Sequence, residues 1–210
     1  MKLRFMLPAV ALAGLAFGVG CGSGSDAIVG LPEGGVTVEQ ITRGRSLVIG
    51  MGCADCHHGG VINPSLATWL SGYRAGTPGQ PFNIGPFTTY PANLTPDATG
   101  IGGYSERQIF NALRHGLSPR YTSSAVITDA NFPAAPHYLA PPMPWPAYRH
   151  LSDADTWAIV AYLKHGLKPV NNDVPDSQFP PDKWASSYVD GAVGPKVIPP
   201  FPAAGEVVTP

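Results

Sequence analysis

Two cysteines three positions apart, followed at once by a histidine, stand at Cys53-Ala54-Asp55-Cys56-His57. Residues of these types at this spacing serve three chemistries: a tetrahedral metal site, a reversible disulfide, or covalent attachment of a haem. A structural zinc site takes four protein ligands, commonly from a second cysteine pair or two spaced histidines. The chain has one further cysteine, Cys21, and His57 is too near Cys56 to complete a tetrahedron with it. A thioredoxin-like pair follows a strand and opens a helix whose N-terminus lowers the first thiol's pKa. Here the preceding residues read as helix and Gly59-Gly60 follow as loop.

In one turn of helix, positions i and i+3 lie on the same side. Cys53 and Cys56 can therefore reach two vinyl groups of one porphyrin, while His57 is carried over the ring as an axial iron ligand. Cys-x-x-Cys-His is the haem c attachment signature, and it uses the histidine that the other two readings leave idle. The motif predicts one covalent haem c.

The other axial position points to Met143. Met1 and Met6 fall in an N-terminal export segment, and Met51 lies two residues before Cys53. Met143 stands in Pro141-Pro142-Met143-Pro144-Trp145-Pro146, where the prolines exclude a helix interior and stiffen the loop. A gap-filling core methionine is the plainer alternative. Among the histidines His137 is the nearest rival ligand. His115 and His165 sit at helix C-termini, where a cation is favoured; His150 precedes a helix start, and His58 is expected to face solvent.

These groups need helices to position them. Apolar residues at Val38, Ile41, Leu47, Val48 and Met51 predict a first helix over 36–52, started by Thr37 or Glu39 and delivering the chain into the cysteine motif. Gly44 near its middle lowers helix propensity and predicts close contact with another helix. A second helix is expected from Ser105 as cap to His115, with Gly116 as stop, and a short one over 64–73. The last begins with Ser152 as cap, Asp155 as the capping-box acid and Leu151 as staple. It ends at Gly166, and its Trp157 and Tyr162 are expected to pack near Gly44. Long loops over 76–103 and 119–146 require something to pack on, which a haem would supply. The expectation is an all-α domain of few helices around the cofactor.

With 25 glycines and 24 prolines in 210 residues, the chain stops just short of a disordered composition. It is long enough for one domain with a core. Lys2 and Arg4 precede an apolar run from Phe5 to Val19 that is too short to span a bilayer, so residues 1–20 read as an export signal. Gly18-Val19-Gly20-Cys21 resembles a lipobox, although Gly18 replaces the usual Leu. Lipidation of Cys21 and a membrane anchor are expected, with ordinary signal cleavage as the alternative. Residues 21–36 read as a linker, 37–170 as the haem domain and 171–210 as a Pro-rich extended tail. Without Lys2 and Arg4 the chain has eleven basic and fourteen acidic side chains, with no basic run, which argues against nucleic-acid binding.

Three blocks together resemble the class I cytochrome c family, and closely its bacterial branch that includes cytochrome subunits of periplasmic dehydrogenases. They are Arg43-Gly44-Arg45 with Gly52 to His57; Asn93-Leu94-Thr95-Pro96-Asp97 with Gly100 to Ser105; and Pro142-Met143-Pro144-Trp145 with Leu151-Ser152-Asp153 to Leu163. The resemblance spans about residues 38–168. It implies the class I cytochrome c fold, first and last helices crossing beside the haem, His57 as proximal ligand and Met143 as distal ligand. Asn93, Thr95 and Tyr148 look similar to residues near the haem edge or its propionates, or else serve ordinary loop packing. The resulting expectation is an exported, periplasmic or envelope-bound electron carrier and not an enzyme. Its partners would be a redox donor and acceptor, such as a dehydrogenase or oxidase. The rival is a haem sensor or enzyme with an open distal site. Dehydrogenase subunits of this branch often carry several haem domains, whereas this sequence has one haem motif.

Overall fold

Thr37 accepts a hydrogen bond from the Gln40 amide at 3.1 Å, and the Gln40 side chain accepts one from the Thr37 amide at 3.0 Å. This reciprocal cap opens helix α1 (Val38–Gly50) in a computed structural model that describes residues 35–76 and 81–208. The export segment and Cys21 lie outside the described residues. Gly52, at φ +70°, takes the left-handed conformation that a residue with a side chain avoids. It turns the chain into the short helix α2 (Cys53–His57).

The helix expected over 64–73 is absent, and the segment is a run of turns. Leu70 is fully buried there at φ +57°, a conformation no right-handed helix contains. The all-α expectation also needs correction, because the loop after Gly76 contains a hairpin. Strands β1 (Phe82–Ile84) and β2 (Phe87–Thr89) pair antiparallel, with Phe82 opposite Thr89 and Ile84 opposite Phe87. Three-residue strands are too short for their alternation to stand out from Gly/Pro-rich surroundings. The regular secondary structure of the described residues is mostly helical, with this one small sheet.

Helix α3 (Glu106–His115) starts and stops as expected, with Ser105 and Gln108 as capping box and Gly116 at φ +67° as C-cap. α4 (Trp145–Tyr148) is a single turn entered from Pro144, and α5 (Asp153–Ala161) is capped by Ser152, which accepts from the Asp155 amide at 3.0 Å. The Asp155 carboxylate does not accept from the Ser152 amide, so the capping box is not closed. The carboxylate accepts from Arg43 of α1 at 2.5 Å, which holds its pKa below the ordinary carboxylate value. Beyond Ala161 the helix widens into a π-turn, Tyr162–Gly166. From that turn the Lys164 ammonium donates to the carbonyls of Ile101 and Gly102 at 3.1 Å and of Tyr104 at 2.7 Å.

α1 and α5 cross at Gly44. A Cβ there would lie 1.8 Å from the Ala158 carbonyl oxygen and 2.9 Å from the Tyr162 Cβ, so the close approach read from the sequence exists. Of the two aromatics expected there, only Tyr162 takes part; Trp157 stacks on Phe110 of α3 at 4.5 Å. Five positions separate the two, about 140° around a helix, so they cannot share a face. Val48, Leu70, Ile159 and Val160 are fully buried beside the crossing. The Trp69 indole N–H donates to the Tyr162 hydroxyl at 2.9 Å in the same core. Tyr162→Phe would leave that N–H unpaired, and a loss of about 1–3 kcal/mol is expected in denaturant unfolding, with an unchanged m-value.

After the π-turn the chain runs along the domain. The Val170 amide donates to Thr95 Oγ1 at 3.0 Å, and the Asn172 side chain donates to the carbonyls of Ser71 and Tyr73 at 2.7 and 2.9 Å. The Gln178 amide reaches the Thr88 carbonyl at 2.9 Å. Trp184 then meets Phe87 edge-on at 5.7 Å. After a last short helix, α6 (Asp190–Val193), the carbonyls of Gly194 and Pro195 accept from Arg149 at 2.8 and 2.9 Å.

Candidate functional site

Helix α2 presents Cys53 and Cys56 as free thiols one turn apart. Burial pushes the Cys53 thiol up to about 11 and also raises Cys56, so both are protonated at neutral pH. A redox-active pair has a depressed thiol instead. Among the described residues no group of three or more His, Cys, Asp or Glu side chains could hold a bare metal ion.

His57 closes α2 and is buried. Its Nδ1 lies 2.7 Å from the Ala92 carbonyl oxygen, and a carbonyl can only accept, so Nδ1 carries the proton. Nε2 is left with a free lone pair, the arrangement that orients a histidine toward a metal. Burial lowers the ring's pKa and favours its neutral form. The backbone fixes this contact from both sides. The Gly72 amide donates to the His57 carbonyl, and the Tyr73 and Leu94 amides link the Pro91–Leu94 loop to the segment that follows α2. Gly72, at φ +82°, allows the approach, since a Cβ there would lie 2.6 Å from Ala92 backbone atoms.

Met143 comes from a separate segment. Its amide donates to the Ala140 carbonyl, and its own carbonyl accepts from Trp145, both at 2.9 Å. Trp145 is stacked parallel to Tyr138 at 5.5 Å and lies over Gly116, where a Cβ would be 2.1 Å from the indole. Tyr148, in the next turn, is buried and donates to the Met51 carbonyl at 3.2 Å. Burial raises its pKa, with the Cys53 and Cys56 thiols close by. The loop that carries Met143 is thus tied both to α3 and to the residue that ends α1.

All these segments face one cleft of about 480 Å³, within the roughly 300–1,000 Å³ usual for cofactor sites. Cys53, Cys56, His57, Met143, Tyr148 and Asn93 line it, with apolar walls from Leu94, Ile101, Ile109, Leu113, Ile159 and Leu163. Two thiols one turn apart, a neutral oriented imidazole, a thioether and an apolar enclosure fit a haem attached through the cysteines.

No protein-family model matches the chain. Among curated proteins it is similar to the fructose dehydrogenase cytochrome subunit of Gluconobacter japonicus, 35% identical over 142 residues, 67% of this chain and 24% of that protein. It is also similar to the gluconate 2-dehydrogenase cytochrome c subunit of Pantoea cypripedii, 31% identical over 170 residues, 79% of this chain and 33% of that protein. A dihaem c-type cytochrome of Cereibacter sphaeroides is 30% identical over 125 residues, 59% of this chain and 35% of that protein. The first of these relatives is named as a cytochrome subunit, and the other two as c-type cytochromes. The chain spans about a quarter to a third of the length of these curated relatives.

The other site residues expected from the sequence divide between cleft and support. Asn93 is buried; its side-chain oxygen accepts from the Thr95 amide and hydroxyl at 3.0 and 2.8 Å, and its amide donates to the Val170 carbonyl at 2.8 Å. Thr95 is fully buried behind Asn93 and does not line the cleft. The rival histidines stay outside it. His137 packs on Tyr121 at 4.3 Å, His115 on Phe132 at 6.3 Å, and His165 pairs with Glu106 at 2.6 Å. His58, expected in solvent, sits edge-on to Trp69 at 5.2 Å. The Ala92 carbonyl, which sets the His57 tautomer, is a backbone group that no side-chain pattern marks.

Proposed function

We propose that this protein is an exported one-electron carrier with a single haem c, belonging to the class I cytochrome c family. It would be bound through Cys53 and Cys56, with His57 and Met143 as axial ligands. The carrying observation is the cleft that brings those four side chains together from two distant stretches of chain. When bound, the haem supplies the Fe(III)/Fe(II) couple, and thioether–imidazole ligation raises its potential.

The protein's own residues position that couple. The cysteines fix one edge of the ring, Ala92 holds the His57 ring in its metal-binding tautomer, and the proline-rich turn holds Met143. Apolar walls keep water from the centre and disfavour the more highly charged oxidised state. Little needs to rearrange between the two states, and no general acid or base is required. A dehydrogenase as partner is supported by the names of the similar proteins, which are dehydrogenase cytochrome subunits. Among the described residues no helix is long and apolar enough to cross a membrane. The proposed membrane attachment is a lipid on Cys21, read from the lipobox-like sequence before it, at the periplasmic or envelope location that the N-terminal sequence implies.

Visible spectra of the purified oxidised and reduced protein, with and without CO, test this reading. The wild type is expected to be low-spin, indifferent to CO, and to display a methionine-to-iron charge-transfer band. Met143→Ala should abolish that band and admit CO. Rapid CO binding by the wild type would overturn the closed-site reading in favour of a sensor or enzyme.

A further inference from the structure

The cleft wall includes a part of the chain beyond the resemblance read from the sequence: Val174, Pro175, Asp176, Ser177 and Phe179 all line it. This segment is fastened on both sides. Thr89 Oγ1 donates to Ser177 Oγ at 2.8 Å and the Tyr90 amide does so at 3.2 Å, on the hairpin side. On the other side Arg120 donates to Asp176 Oδ1 at 2.7 Å. Among the described residues Arg120 is also the one lysine or arginine in the cleft lining. Its backbone is held by neighbours: Gln108 Nε2 donates to the Pro119 carbonyl at 3.0 Å, and the Ser118 amide to the His137 carbonyl at 2.8 Å.

A haem carries its two carboxylates on the edge opposite its vinyl groups. A ring tethered through Cys53 and Cys56 therefore directs those carboxylates away from α2. We infer that residues 174–179 form a strap closing the carboxylate edge of the haem, and that Arg120 is its clasp, shared between Asp176 and a haem carboxylate. This inference rests on the haem c reading above. Arg120 and Asp176 keep 51% and 74% of their side-chain surface exposed, and an exposed pair of this kind contributes little to stability by itself. Planar, fork-like donation to two carboxylates at once is where arginine outperforms lysine. With this edge covered, electrons would enter and leave at the edge near α2.

The test uses the full-length haem-loaded protein and two readouts. One is the reduction potential, taken as the equilibrium with a fixed reference couple; the other is amide hydrogen exchange at Gln178, whose N–H donates to the Thr88 carbonyl. Loss of a cation beside the ring stabilises the oxidised form. Arg120→Gln should therefore shift that equilibrium toward oxidised protein by at least about threefold and accelerate exchange in the strap. Arg120→Lys should keep the potential near wild type. Asp176→Asn, which leaves the cation in place, should accelerate the same amide about threefold. An unchanged potential in Arg120→Gln would remove the haem from the proposal, and unchanged exchange in Asp176→Asn would remove the clasp. Either result overturns it. Failure of methionine ligation would appear separately, as CO binding by the wild type.

Discussion

Gly44→Ala is expected to cost about 3 kcal/mol or more, at or beyond the upper end of ordinary overpacking. The methyl group would sit 1.8 Å from the Ala158 carbonyl oxygen and 2.5 Å from its carbon. Both are backbone atoms of α5, so no rotamer change relieves the clash and one helix must move as a body. Glycine-to-alanine changes inside helices ordinarily stabilise by up to about 1 kcal/mol, so the packing penalty has to overcome that gain as well. Gly50 provides the control, because a Cβ there meets nothing. Thermal unfolding of Gly50→Ala should match or exceed wild type, whereas Gly44→Ala should melt well below it. The damage should extend to the cleft: α1 leads into α2, and Ile159 and Leu163 on the α5 side line the cavity.

Replacing both Cys53 and Cys56 by alanine should convert a covalently held haem into an extractable one. Acidic organic solvent unfolds the protein and breaks axial ligation but leaves thioethers intact. Nearly all haem should stay with the wild-type polypeptide, and nearly none with the double variant. Each single variant keeps one bond and should retain its haem. The measurement is the haem left on the polypeptide after extraction. Haem lost from the wild type would mean that the cysteine pair is not its anchor. The double variant should also melt lower, because a ligand that can leave stabilises only through mass action.

What could be read from the sequence was local. Thr37, Ser105, Gly116 and Ser152 act within one helical turn of themselves, and each caps the helix it was expected to cap. The cysteine motif is equally local, because its geometry is contained in one turn of α2. Met143 came by elimination among four methionines, and it lines the same cleft as His57. Where the outcome depended on distant packing, the reading went astray. Leu70 is driven into the core at a positive φ, which removes an expected helix. Trp157 answers to Phe110 instead of Gly44, His58 to Trp69, and the Asp155 carboxylate to Arg43. The hairpin escaped notice because each strand is three residues long, and Arg120 because nothing near it in sequence hints at Asp176.

The π-turn at Tyr162–Gly166 acts as a phase shifter for everything downstream. A π-turn holds one residue more than the α-helix around it, and one residue is about 100° of rotation. Removing a single residue there would restore regular winding but swing the following chain by that angle. Lys164 would lose its three carbonyls, and Val170 would leave the Asn93–Thr95 pair that now receives it. The widened turn is thus the gear tooth that brings the end of one helix and the beginning of the strap into register.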